Sequence, residues 1–438
     1  MKVLWVCNIM LPAIARELRL PYSNREGWLS GIFEQLTEKD KNKKIELGIC
    51  FPAENREVCA AVNESGDFCV KGVPCYAFPE NLSCPERYDS GMEVRFQEIF
   101  ADFKPDILHV FGTEFPHAMA AVKAFGRPEK TLIGIQGLCY KIAEVYMAGL
   151  PEKVCSSVTF RDFIRKDSLK QQQEKFRLRG ENEKEALKLT GHITGRTRFD
   201  REGTAEINGK AVYHSMNETM RRGFYEGEWQ KENCEKHSIF FGQGDYPLKG
   251  FHFVLEAMPL ILKKYPDAVL YVSGNSIISN KTLKEKLKLP AYGKYLLKLI
   301  RRYHLKDRVV MLGKLTEEEM KQRFLSSNVF VCASVLENSP NTVGEAMLLG
   351  VPVVASAAGG IPDMLIDGKE GLLFNPGDVP ALARLIESVF EDEKDEEGVS
   401  LTQRLSGAGR RRAGMAHDGE TNYRRLMEIY GDIAGAQL

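Results

Sequence analysis

The chain has no charge of one sign to spare: 60 Lys and Arg stand against 60 Asp and Glu, a formal net charge of zero. Such a balance supplies no global field to attract nucleic acid or a strongly acidic polymer, so any basic contact must be local. Ten cysteines are scattered through 438 residues with no Cys-x-x-Cys pair, which argues against both a zinc site and a disulfide framework. No window approaches the eighteen or so apolar residues that a membrane-spanning helix needs. The opening Met1-Lys2-Val3-Leu4-Trp5-Val6-Cys7 is too short an apolar run for a signal peptide, and reduced thiols in the cytoplasm are expected. No Asp-x-Asp pair follows an apolar run, which leaves no obvious carboxylate pair for a divalent cation.

What is present is the composition of an ordinary globular protein, 43% hydrophobic and 27% charged. A length of 438 residues exceeds what one core usually organises. Apolar runs of strand length, Val3 to Cys7, Ile45 to Phe51, Ile107 to Phe111 and Thr131 to Gln136, alternate with helical patterns in the first half. The rhythm restarts with Ser238 to Gly242, Ala268 to Gly274, Val309 to Gly313, Val329 to Ala333 and Val351 to Ser356. Alternation of this kind predicts two parallel sheets covered by helices. A polar stretch from Arg161 to Lys188 and a mixed one from Glu202 to Glu235 lie between them, so the junction is expected near 200–235. The stripe Phe253, Val254, Ala257, Met258, Ile261 and Leu262 predicts a scaffold helix over Phe251 to Tyr265. Residues 391–412, acidic and then basic, read as a surface loop or exposed helix, and Glu420 to Ile433 is amphipathic.

The most informative stretch is Ser334-Val-Leu-Glu337-Asn-Ser-Pro340-Asn341-Thr342-Val343-Gly-Glu345. A strand ending at Ala333 runs into a loop bearing Ser334 and Glu337, and a helix begins near Asn341 and Thr342. Ligands of open α/β sheets bind at strand carboxyl ends, where a helix N-terminus offers free N–H groups and a positive dipole end to a phosphate. Two carboxylates eight positions apart can reach different hydroxyls of one elongated ligand, as sugar diols require. For an arbitrary pair of glutamates, a cap-region acid and a helix-surface acid would serve as well.

The spacing from Glu337 to Glu345, followed by Gly350-Val-Pro-Val-Val-Ala-Ser, resembles the E-x7-E signature of glycosyltransferase family 4. Gly359-Gly360-Ile361-Pro362-Asp363-Met364, Asp367-Gly368 and Gly371-Leu372-Leu373-Phe374 resemble its continuation, and Phe240-Phe241-Gly242 through Lys249-Gly250 the strand and loop that open the donor domain. The likeness is strong over 236–390 and weaker before, where Asn24-Arg25-Glu26-Gly27-Trp28 and Pro105-Asp106-Ile107-Leu108-His109 carry it. The resemblance implies the GT-B architecture: two doubly wound, Rossmann-like domains facing across a cleft, with 1–205 on the acceptor side, 206–415 binding the nucleotide-sugar, and 416–438 a helix crossing back. It implies that Glu345 holds the donor ribose and Glu337 the transferred sugar. Lys249 would grip the diphosphate beside Gly242 and Ser334, and amides from Pro340 through Asn341 and Thr342 to Val343 complete the cradle, joined after closure by that of Gly27. Where the family commonly carries Arg, Gln243 follows Gly242, and Arg196 of Thr194-Gly195-Arg196-Thr197 is the candidate replacement.

The implied reaction is a retaining transfer of a hexose-type sugar, UDP-sugar favoured over GDP-sugar, to a glycan or lipid-linked acceptor of surface polysaccharide synthesis, with no cofactor and no metal. The departing phosphate oxygen itself takes the acceptor proton, and Lys249 and the helix N-terminus carry the developing charge. His117 is the candidate acceptor-side catalytic group, with His109, Glu114 and Gln136-Gly137 beside it. Each has a plain structural alternative as a hydrogen-bonding or capping group. The basic tract from Arg161 to Arg179, and the cations of Tyr292 to His304, read either as solvated helix faces or as a peripheral contact with anionic headgroups at the cytoplasmic membrane face. The rival functions are a nucleotide-sugar epimerase and a nucleotide-sugar-binding protein of weak or no turnover.

Overall fold

Strands buried on both faces need helices above and below them, and the near-continuous Val, Ile, Leu and Phe runs of this chain build such strands. The computed structural model describes all residues except 21–26, 40–43, 65–67, 280–281 and 437–438. Its first sheet contains β1 (Lys2–Val6), β2 (Glu46–Ala53), β3 (Cys69–Val70), β4 (Val73–Pro79), β5 (Ile107–Phe111), β6 (Thr131–Gly134), β7 (His192–Gly195) and β8 (Val212–Ser215). The order is β3-β4-β2-β1-β5-β6-β7-β8, parallel except for the β3/β4 pair. The second sheet, wholly parallel, contains β9 (Ser238–Phe241), β10 (Val269–Ser273), β11 (Val309–Gly313), β12 (Val329–Cys332), β13 (Val353–Ser356) and β14 (Leu372–Phe374), in the order β11-β10-β9-β12-β13-β14. The order reverses between β1 and β5 in the first sheet and between β9 and β12 in the second. At those two switch points the helices diverge to opposite faces and leave room for a ligand.

Two compact units result. The first gathers Met1–Ala143, Lys175–Arg221 and His417–Leu438; the second gathers Glu144–Glu174 and Arg222–Ala416. The segment Glu144–Glu174, which the sequence reading left in the first domain, therefore belongs to the second unit. What fixes it there is local: Asp162, 1% exposed, closes a capping box with Thr159 and accepts the Ala291 N–H at 2.9 Å. The helix Gly419–Ala434 belongs to the first unit. Its Tyr430 hydroxyl accepts from Trp5 Nε1 at 2.8 Å and meets His109 Nδ1 at 2.8 Å, all three side chains being fully buried.

Several elements differ from the sequence expectation. The polar stretch from Arg161 to Lys188 is largely one helix, Leu169–Lys188, and the residues after it hold β7 and β8. The strand β4 carries Pro74 and Pro79, and β8 is half exposed, so neither shows the apolar run that marks a central strand. The helix expected over Phe251 to Tyr265 spans Phe251–Lys264, and the acidic run after 391 is a turn that leads into the helix Leu401–Ala416.

Candidate functional site

The carboxyl ends of β9 and β12, at the switch point of the second sheet, are drawn together by glycine. Gly250 has φ +73°, and a Cβ there would lie 1.9 Å from the Ala333 carbonyl oxygen, so only glycine lets the loop after β9 rest on the end of β12. The Val335 N–H then donates to Leu248 O at 2.8 Å. Gly359 does the same from the other side: its φ is +56°, a Cβ would lie 2.0 Å from Glu337 O, and Gly360 N–H donates to that oxygen at 3.0 Å. Two loops thus clamp the segment from Ala333 to Glu337.

The side chains converge in the same place. Glu337 Oε1 accepts from Lys249 Nζ at 2.5 Å and from Ser334 Oγ at 2.6 Å. The side chains of Lys249 and Glu337 are 20% and 12% exposed, and Ser334 is buried. Burial alone would lower the Lys249 pKa, but the Glu337 carboxylate, backed by the Tyr246 hydroxyl, raises it overall, so the ammonium stays charged. Burial, then the Glu337 charge, push the Cys332 thiol up to about 12 and keep it protonated. This corner is built to hold one cation beside one anion.

Behind the pair lies the helix Asn341–Leu349, with Pro340 at its N-cap and no side chain capping it. The first-turn amides of Asn341, Thr342 and Val343 precede any helical carbonyl they could reach, although Val343 N–H bends back to Pro340 O at 3.0 Å. A Cβ on Gly242 would lie 3.7 Å from Thr342 Cγ2, which sets the end of β9 against this helix start. Glu345 is 4% exposed in the second turn of the same helix. The structure therefore brings Gly242, Lys249, Ser334, Glu337, Pro340, Asn341, Thr342 and Val343 together, with Glu345 one turn further along the helix.

Gln243 does not face this corner with a charge: its amide donates to Asp245 Oδ1 at 2.8 Å, and Asn275 Nδ2 donates to the other oxygen at 2.9 Å. Arg196 is held within the first unit, where its Nη1 lies 2.5 Å from Glu218 Oε2 and both side chains are buried. Gly27 opens the helix Gly27–Lys39, and the residues 24–26 before it lie outside the described residues. One residue that the sequence reading did not single out is Ser339, whose buried hydroxyl finds no partner among the described residues, directly before the Pro340 cap. Its signal in the sequence is weak, since a serine before a proline is ordinary loop chemistry.

In the first unit the candidates separate. His117 starts the helix His117–Phe125, fully buried, with Nδ1 2.7 Å from Glu80 Oε2 and its N–H donating to Glu80 Oε1 at 3.2 Å; Phe115 stacks on its ring. His109 is held by Tyr430, and burial lowers its pKa to about 3, so it is neutral. Glu114 folds over Gly112, where a Cβ would lie 2.3 Å from its Oε2 and 3.1 Å from Asn8 Nδ2, and a Cβ on Gly137 would lie 3.5 Å from its Oε1. Asn8, Glu114 and Gly137 thus meet at the ends of β1, β5 and β6, while Gln136 donates to Glu218 Oε1 at 3.1 Å.

A doubly wound parallel sheet with a lysine–glutamate pair and a helix N-terminus at its switch point defines the class: an α/β unit of the GT-B fold, whose kind binds ligands at the carboxyl ends of its strands. Residues 225–412 match the model of the family described as glycosyl transferases group 1. Among curated relatives, the sulfoquinovosyl transferase SQD2 of Arabidopsis thaliana is 40% identical over 98 residues, 22% of this chain and 19% of its own length. The spore coat protein SA of Bacillus subtilis is 25% identical over 198 residues, 42% of this chain and 50% of its own length. The chain spans half or less of the length of these relatives. Among solved structures, Anabaena HepE in complex with UDP and glucose superposes with a TM-score of 0.65 at 15% identity, covering 99% of this chain and 100% of that one. Sucrose-phosphate synthase of Thermosynechococcus elongatus superposes with a TM-score of 0.67, also at 15% identity and with the same coverage. These structures share the fold along the whole chain.

Proposed function

We propose that the chain is a retaining glycosyltransferase that takes a hexose-type sugar from a nucleotide-sugar, UDP-sugar first and GDP-sugar second, and passes it to a glycan or lipid-linked acceptor in surface polysaccharide synthesis. The observation that carries this reading is the Lys249–Glu337 pair, 2.5 Å apart, beside the start of the helix Asn341–Leu349. In the reaction the bond from the anomeric carbon to the β-phosphate oxygen breaks and a bond to the acceptor hydroxyl forms on the same face. The acceptor proton passes to the departing phosphate oxygen. Lys249 and the helix amides stabilise the charge that develops on the diphosphate, the kind of contribution that is usually largest in such transfers. Glu337 accepts hydroxyls of the transferred sugar and Glu345 those of the ribose. With Gln243 turned to Asp245, Lys249 is the cation that the loop after β9 offers the diphosphate, and no metal takes part.

The boundaries 1–205 for the acceptor side and 206–415 for the donor side belong to this proposal, refined by the membership of Glu144–Glu174 in the second unit. So do His117, Arg196 and Gly27 as contributors, a cytoplasmic location and a peripheral membrane contact. The test is a panel of UDP, GDP and ADP and their sugars, read by melting temperature, followed by proton NMR of the product formed on an acceptor. Stabilisation by one nucleotide series and a product of unchanged anomeric configuration support the reading. Release of an isomerised nucleotide-sugar without acceptor would instead assign an epimerase, and stabilisation without any turnover a binding protein.

A further inference from the structure

Two short helices of the second unit hold large apolar side chains in solvent. In Phe160–Arg165, Phe160 is 63% exposed, Phe163 73% and Ile164 62%, with Val158 just before them at 58%. In Leu283–Leu287, Leu283 is 75% and Leu287 51% exposed. The i, i+3, i+4 spacing of the first set and the i, i+4 spacing of the second put each set on one helix face. The inner side of the first helix is fixed: Asp162 accepts the Ala291 N–H at 2.9 Å. Leu287 precedes Ala291 by four residues, so its backbone lies within about 14 Å of that anchor. The two apolar clusters belong to one unit, tied through the Asp162–Ala291 bond.

The exposed charge around them is mostly positive. Lys153, Arg165, Lys166 and Lys170 are exposed around the first helix, and Lys284, Lys286 and Lys288 around the second. The acids nearby are largely engaged: Asp162 and Asp167 each hold Arg161 at 3.0 Å, Glu285 closes a capping box with Thr282, and Glu152 lies 3.8 Å from Lys170. Clustered apolar side chains of this size in solvent mark an interaction site. A second copy docked about a two-fold axis would set these cations against each other. A bilayer with anionic lipid supplies diffuse negative charge above a fluid apolar phase and asks for no matched groove.

We infer that this surface docks on an anionic lipid bilayer, with Phe160, Phe163, Ile164, Leu283 and Leu287 in the interfacial layer and the lysines and arginines among the headgroups. The inference deepens the lipid-linked acceptor reading and rests on it. It also accounts for the placement of Glu144–Glu174: Arg161, Asp162 and Asp167, on or beside the docking helix, line one cavity of about 60 Å³ with Asp245, Tyr246 and Pro247 of the donor loop.

The experiment is vesicle co-sedimentation of the full chain with phosphatidylcholine alone and with added phosphatidylglycerol. Wild type should bind the anionic vesicles and be released by salt. Arg165→Gln with Lys166→Gln should weaken partitioning about 25-fold, about fivefold for each charge at the surface. Phe163→Ser with Ile164→Ser should weaken it by at least about tenfold. All four side chains are exposed, so both variants should keep the wild-type melting temperature and its rise with UDP. Equal binding to neutral and anionic vesicles, variants that bind like wild type, or no binding at all would overturn the inference, the last with the UDP response intact leaving the transferase reading in place. A dimer abolished by the serine pair, with no vesicle binding, would overturn it in favour of a second copy.

Discussion

Replacing Lys249 by methionine keeps the length of the side chain and deletes its charge, which separates two roles of the same residue. In the unliganded protein Glu337 loses its 2.5 Å partner and keeps Ser334 Oγ at 2.6 Å. Both members of the pair are mostly but not wholly buried, so water can replace part of the loss. A hydrogen bond to a charged group contributes about 1.5–3 kcal/mol, and for a unit of roughly 200 residues each kcal/mol shifts melting by about 2–4 °C. The variant should therefore melt about 3–12 °C lower. The ligand response should change more. UDP at 100 times its Kd adds about 2.7 kcal/mol to the wild type. Losing a phosphate contact of about 2 kcal/mol weakens binding about 30-fold, which leaves about 0.9 kcal/mol at the same UDP concentration. Glu337→Gln is the counterpart: it removes the anion that competes with phosphate for the ammonium, so the UDP response should persist while transfer fails. Differential scanning calorimetry with and without UDP reads both. A Lys249→Met protein that melts lower yet keeps the full UDP response would refute the placement of the diphosphate.

Glu345→Gln, in a helix position only 4% exposed, should weaken UDP binding about tenfold or more while that of inorganic diphosphate changes little, by isothermal titration, since its proposed partner is the ribose. Gly250→Ala should destabilise the second unit by about 1–3 kcal/mol in urea, because φ is +73° and a Cβ would meet Ala333 O at 1.9 Å. Tyr430→Phe strands the Trp5 and His109 nitrogens and should cost the first unit about 2–4 kcal/mol, read by urea unfolding, with the UDP response unchanged. Glu183 is raised to about 7 by burial, against the opposing hydrogen bonds from Thr113, Tyr140 and Cys139. Its folded pKa lies above the unfolded value, so the folded state binds the extra proton and stability should fall as pH rises from about 4.5 to 7. Glu183→Gln should flatten that part of the urea-unfolding profile. His417 acts in the opposite sense: burial lowers it to about 4, so its contribution is lost as pH falls from about 6.5 towards 4.

Much of the corner at the β9/β12 switch point was legible from residues close together in the chain. Ser334 to Glu345 spans one strand end, one loop and one helix start, and local rules of strand burial and helix initiation place those groups without knowledge of the rest of the fold. Lys249 was legible through Gly250, whose positive φ forms the turn that brings it to β12. Gln243 could be read as a departure, but its bond to Asp245 depends on Asn275, a residue of another loop. Arg196 was assigned by its charge alone, and its pairing with Glu218 arises because the ends of β7 and β8 lie side by side, an adjacency that no local pattern encodes.

The sequence by itself determined the class of fold, the central strands and the cluster of residues at the β9/β12 switch point, because buried parallel strands and glycine-bearing turns write their requirements in contiguous residues. Only the tertiary structure decided that Glu144–Glu174 joins the second unit, that Tyr430 is the residue through which the expected returning helix Gly419–Ala434 is held in the first, and that His109 and His117 are buried there. Those outcomes rest on single contacts between residues far apart in the chain, such as Asp162 with Ala291 or Trp5 with Tyr430. Their free energy comes from burying polar groups in matched pairs, and which groups are matched is known only once the chain has folded.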